Sequence, residues 1–186
     1  MALTNLHTNW DFGSYYNDRD NYIQSRENPI LFGGNTSDLT PYYDGSIAIG
    51  YGFDLLVRSD AEINKFFADS GLNLRLSNTD KSLLAAAREY RAASKDKPPR
   101  ISSTDLEIAL RNIVSQLSSD LNLGSELNAT KLLDTYIAQK AEAQVTAFLI
   151  KYTWTDWGGC KERIALVSLA YNSSSYLGHL LGEAIA

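Results

Sequence analysis

The apolar and polar positions of this chain separate a short β-containing segment near the N-terminus from a long helical remainder. Residues 18–26, DRDNYIQSR, fit a short helix, and the ENP of Glu27, Asn28 and Pro29 ends it, because a residue before proline avoids the helical region. Glu27 therefore falls at or just after a helix C-terminus. GGNTSDLTP over 33–41 has the composition of a loop, and YYDGSIAI reads as a short hairpin whose Asp44-Gly45 pair fits a tight type I′ turn. That hairpin is the only sheet expected.

Beyond it the spacing turns helical. Ser59 with Glu62 predicts a capping box ahead of INKFF, and Gly71 predicts the stop. A second helix is expected from Asp80 to about Ser94, ended by the proline-stiffened KDKPPR. Thr104 with Glu107 suggests another capping box, followed by Leu106, Leu110, Ile113, Leu117 and Leu121 at helical spacing. Leu133, Tyr136, Ile137, Val145, Phe148, Leu149 and Tyr152 predict one apolar face on the next helix, and RIALVSLAY over 163–171 is apolar nearly all round, as in a helix buried on every side. The expected fold class is α+β, mostly helical, with one small β-lobe.

Composition narrows the function. A chain of 186 residues, 44% hydrophobic, can bury most of its apolar surface in one domain without disulfides or metal. Its formal charge of −5 argues against a nucleic-acid partner, which requires clustered Lys and Arg. One cysteine, Cys160, with only His7 and His179 beside it, makes no spaced metal set, and no cofactor is expected. The start MALTNLHTNWDF lacks the signature of a signal peptide, and no run of about 18 apolar residues occurs, so stable membrane insertion is not expected. The chain is expected to be made in the cytoplasm, with any export by another route.

Without cofactor signatures, acid-base chemistry falls to carboxylates. Glu27 and Asp54 lie 27 positions apart, too far for one helix face, but the intervening loop and hairpin permit the chain to fold back and oppose them. Two carboxylates across a cleft are what glycoside hydrolysis requires, one donating a proton to the leaving oxygen and the other activating water or stabilising the sugar cation. Each has a plainer reading. Glu27 can be a solvated helix end, and Asp54 can cap the next segment or pair with Arg58. Gly50 and Gly52 can mark a strand end or let a substrate approach. Tyr42, Tyr43 and Tyr51 can stack on sugars or fill a core, and Asp44 is most simply a turn residue.

The segment YIQSRENP…YYDGSIAIGYGFDLL resembles the catalytic segment of phage-type lysozymes, in which a helix ends in Glu and a strand reads close to T-I-G-Y-G. ERIALVSLAYN is similar to the buried helix of their C-terminal lobe, and SSTDLEIALRN to the helix that opens that lobe. The motifs occur in the same order over residues 19–181. In the phage enzymes the catalytic aspartate lies six positions before the strand threonine; in the pesticin-type bacteriocin branch it lies six after, as T-x-G-x-G-x-D. Here the threonine position is Ala48, six before it is Tyr42, and six after it is Asp54, the pesticin-type arrangement.

The resemblance implies one lysozyme-like domain over 1–186, with a β-containing lobe over about 10–76 and a helical lobe over 77–186, truncated at its C-terminus relative to the family. It implies a peptidoglycan hydrolase that cleaves the β-1,4 bond between N-acetylmuramic acid and N-acetylglucosamine. Glu27 would be the general acid, held protonated by a partly buried site, and Asp54 the second carboxylate. Ala48 lacks the hydroxyl that helps hold the attacking water in the family, and Ser46, on the same strand face, is its candidate substitute. Tyr42, Tyr51 and Asn172 are further candidate substrate contacts. The implied partner is bacterial peptidoglycan, reached at the cell wall or periplasm; the acidic balance suits delivery by a phage particle, bacteriocin or secretion assembly, or with an additional domain. The alternatives are a catalytically inactive lysozyme-like module that binds glycan or protein, and a related chitinase.

Overall fold

A computed structural model describes residues 12–151 and 161–172. Cys160, His7, His179, Tyr152 and the stretch after Asn172 lie outside the described residues. The described chain is mostly helical with one small antiparallel sheet, an α+β protein. It divides into two units, Glu27–Leu133 and the remainder, Met1–Arg26 with Asp134–Ala186. Residues 77–133 thus group with the β-containing segment, a different partition from the 10–76 and 77–186 expected from sequence.

The Glu27–Leu133 unit begins at the end of helix α1 (Phe12–Glu27). Asn28 takes an extended φ of −148°, as a residue before proline should, and N-caps α2 (Pro29–Phe32) by accepting the Leu31 N–H. A 3-10 turn, Thr36–Leu39, lies within the expected loop. Three short strands follow: β1 (Tyr42–Tyr43), β2 (Ile47–Ile49) and β3 (Phe53–Asp54), in that spatial order.

The sheet departs from expectation twice. Tyr43 pairs with Ile47, so the first connection has three residues rather than the two of a type I′ turn. The Asp44 carboxylate accepts the Ser46 amide at 3.1 Å, and this Asx closure needs the extra residue, with Gly45 at φ +97°. A third strand also exists. Gly50 (φ +62°) and Gly52 (φ +76°) fold the chain back so that Ile49 pairs with Phe53. A Cβ on Gly50 would lie 2.9 Å from Leu123 Cδ1 and 3.2 Å from Ala129 Cβ, so close core packing requires glycine there.

Helix α3 (Asp60–Asp69) starts at the expected Ser59–Glu62 capping box and stops before Gly71, whose φ is +68°. It buries Ile63, Phe66 and Phe67, and Phe53 meets Phe66 edge-on at 5.5 Å. Helix α4 (Asn78–Lys95) starts slightly earlier than expected because Ser77 and Asp80 form a second capping box. Asp80 is buried, which alone would raise its pKa, yet the Ser77 hydroxyl and the amides of Ser118 and Ser77 bond its carboxylate and lower it. Helix α5 (Ser103–Val114) is capped by Ser102, not Thr104: the Ser102 hydroxyl accepts the Asp105 amide. Leu117 and Leu121 are buried as expected but follow the helix end.

In the other unit, the single helix expected through Leu133 and Val145 is α6 (Glu126–Tyr136, whose earlier residues lie in the first unit), a π turn (Ile137–Ala141) and α7 (Glu142–Lys151). The π turn widens the spiral while keeping Ile137 and Ala141 buried. Helix α8 (Lys161–Asn172) buries Ile164, Leu166, Val167 and Ala170, but Ala165 is exposed, so it is not enclosed on every side. The Glu142 carboxylate ties this unit together, accepting from Tyr15 (2.8 Å), Arg19 (3.0 Å) and Arg163 (2.7 Å). Burial alone would raise the Glu142 pKa, but these three donors lower it. No helix among the described residues is long and apolar enough to cross a membrane.

Candidate functional site

Ala48, the centre of β2, has two cross-strand neighbours, Tyr42 on β1 and Asp54 on β3. The three-residue connections on either side make the positions six before and six after Ala48 its direct partners. Side chains paired in this way share a face, with Cβ atoms about 4.5–5.5 Å apart. Ala48 itself is 1% exposed, while the Asp54 side chain is 24% exposed.

Asp54 is held on three sides. Its Oδ1 accepts the backbone N–H of Leu56 at 2.7 Å and of Val57 at 3.3 Å, so it does cap the segment that follows. Arg58 is not the partner of its carboxylate; that guanidinium donates to the Asp54 backbone carbonyl and stacks over the Phe53 ring at 4.2 Å. The ionic partner is Arg91 of α4, whose Nη1 lies 3.4 Å from Asp54 Oδ2 and 3.2 Å from Ser46 Oγ. One guanidinium thus bridges Ser46 and Asp54 on the face that Ala48 shares. Arg88, a turn earlier, fixes the following loop by donating to the carbonyls of Leu55 (3.1 Å) and Arg58 (2.8 Å) and to Asp60 (2.9 Å).

Glu27 is half-buried and adjoins Asn28, the polar clamp of the unit. Asn28 is 4% exposed, and its amide donates to the Gly50 carbonyl and to Asp38 Oδ2, both at 2.9 Å. The residue after Glu27 is thereby fastened to the turn that closes β2. Tyr42 is half-buried and donates its hydroxyl to the same Gly50 carbonyl at 3.1 Å. Burial, with Asp44 and Asp38 nearby, pushes the Tyr42 pKa up, so its phenol stays a donor.

The remaining expected contacts have partners of their own. Tyr51 is a core residue, 2% exposed, whose hydroxyl donates to Glu126 at 2.9 Å; burial first and Glu126 second raise its pKa. Its ring is not offered to a ligand. Ser46 is nearly buried beneath Arg91. Asn172 ends α8 in the other unit and donates to the Ser168 carbonyl. Among the described residues no three His, Cys, Asp or Glu side chains group as a metal site.

Sequence reading missed Asn28, Arg88 and Arg91. A signal for the arginines existed: Arg88 and Arg91 fall near the buried face that carries Leu84 and Ala87 on α4, where a charged residue needs a partner. No protein-family model matches the chain, and neither a curated protein nor a solved structure does.

Proposed function

We propose that the chain is a lysozyme-like muramidase that hydrolyses the β-1,4 bond between N-acetylmuramic acid and N-acetylglucosamine in bacterial peptidoglycan. The observation that carries the reading is the pairing of Ala48 with both Tyr42 and Asp54. It makes the two carboxylate positions of the resembled branches neighbours across one strand, and only Asp54 holds a carboxylate.

In this reading Glu27, as a carboxylic acid, gives its proton to the glycosidic oxygen as the bond to the anomeric carbon breaks. Water bonds that carbon and passes a proton to Asp54, and solvent exchange then restores both groups. The donors on Asp54 Oδ1 leave Oδ2 to receive that proton beside Arg91. The net charge of −5 opposes free diffusion to an anionic wall and favours delivery as part of a larger assembly.

The test is product analysis of purified peptidoglycan digested by the protein. New reducing-end N-acetylmuramic acid, lost in Glu27→Gln and in Asp54→Asn, supports the reading; reducing ends that persist in both variants exclude it. The burial of Ala48 favours a second reading, a catalytically inactive lysozyme-like module. That reading predicts sedimentation with peptidoglycan and no new reducing ends.

A further inference from the structure

The face of the sheet that carries Asp54 has a methyl group at position 48 and one guanidinium over it. Arg91 reaches Ser46 Oγ at 3.2 Å and Asp54 Oδ2 at 3.4 Å through Nη1, both at the long end of hydrogen bonding. A guanidinium has five N–H groups, and no other partner holds those of Arg91 among the described residues. Its side chain is 29% exposed, so it is not fully withdrawn from solvent.

We infer that Arg91 is a positioning residue for the hydrolysis proposed above, supplying from α4 the hydrogen-bond donor that Ala48 lacks. The inference rests on that reading. Arginine donates and cannot accept, so a water beside it accepts one N–H through one lone pair. The same water donates a hydrogen to Asp54 Oδ2, and its second lone pair remains for the anomeric carbon. Ser46 Oγ accepts from the same nitrogen and keeps the guanidinium aimed across Ala48.

The experiment compares hydrolysis of solubilised peptidoglycan strands by wild type, Arg91→Lys, Arg91→Gln, the double variant Arg91→Gln with Ala48→Thr, and Glu27→Gln, each checked for melting temperature. Arg91→Gln should lower kcat roughly 10- to 150-fold, the range for a hydrogen bond to a charged group, with KM nearly unchanged. Arg91→Lys should retain more of the rate than Arg91→Gln. Threonine at position 48 should restore about 2- to 13-fold to the Arg91→Gln variant, because the new hydroxyl takes over the water. A merely structural arginine would lower the melting temperature and gain nothing from that threonine. If wild type digests and Glu27→Gln does not, yet Arg91→Gln keeps its kcat or is not restored, the role of Arg91 is overturned while the muramidase reading stands. If wild type produces no more reducing ends than Glu27→Gln, both fall.

Discussion

Replacing Asn28 with alanine should be among the most damaging polar substitutions in the Glu27–Leu133 unit. The side chain is 4% exposed and makes three bonds of 2.9 Å, to Gly50 O, Asp38 Oδ2 and the Leu31 amide. Loss of the helix cap costs about 1 kcal/mol. The bond to the Asp38 carboxylate is worth about 1.5–3 kcal/mol and that to the Gly50 carbonyl about 0.5–1.5. The Gly50 oxygen keeps the Tyr42 hydroxyl at 3.1 Å, and bonds from one residue do not add fully, so about 3 kcal/mol is expected. For a chain of this size that corresponds to a melting temperature lower by roughly 6–12 °C. Asn28→Asp keeps the acceptor for Leu31 but sets a second carboxylate against Asp38, so it should be less stable than alanine at pH 7 and recover near pH 4. Urea melts and calorimetry of both variants at the two pH values measure this. A loss under about 1 kcal/mol for alanine, or an aspartate variant as stable as wild type at pH 7, would refute the clamp.

Burial, with Asp20 nearby, pushes the Asp134 pKa up to about 6, and its Oδ1 has no hydrogen-bond partner among the described residues. A folded-state pKa above the unfolded value means that stability falls as pH rises from about 4 through 6. Asp134→Asn should therefore raise the melting temperature at pH 7 and leave it unchanged near pH 4; equal losses at both would contradict this. Gly50→Ala combines φ +62° with a Cβ 2.9 Å from Leu123 Cδ1, and should destabilise by about 2–5 kcal/mol in urea melts. Gly45→Ala, at φ +97° in open space, should lose less; the reverse order would contradict the packing at Gly50. Asp44→Asn keeps the acceptor for the Ser46 amide, so activity and stability should change little, within about 0.5 kcal/mol. A large loss of activity at constant melting temperature would give Asp44 a catalytic role.

Elements whose determinants lie within a few residues were legible in the sequence. Ser59 and Glu62 sit three apart and cap α3, and Pro29 ends the helix at Glu27. Where two local signals overlapped, composition could not choose: Ser102–Asp105 and Thr104–Glu107 both resemble caps, and Ser102 is the one used. Strand β3 is two residues long and owes its pairing to the Gly50–Gly52 fold-back, so no alternating pattern announces it. The candidate site divides in the same way. Glu27, Ala48 and Asp54 stand out by motif spacing. Arg91 lies 37 positions from Asp54, and Asn28 bonds across 22 positions to Gly50, contacts that only the folded chain brings together. Tyr51 has the same local look as a ligand-facing aromatic, yet the packing of its turn buries it.

The muramidase reading is tested most directly by the rate of turbidity loss of purified peptidoglycan with wild type and Glu27→Gln at equal concentration, both shown to be folded. Glutamine keeps the size of glutamate and removes only the proton donor, and general acid catalysis is worth about 10²–10⁴-fold. The account predicts clearing by wild type and a rate at least about a hundredfold lower for the variant, with an unchanged melting temperature. Clearing at the same rate by both proteins, or by neither, would contradict it.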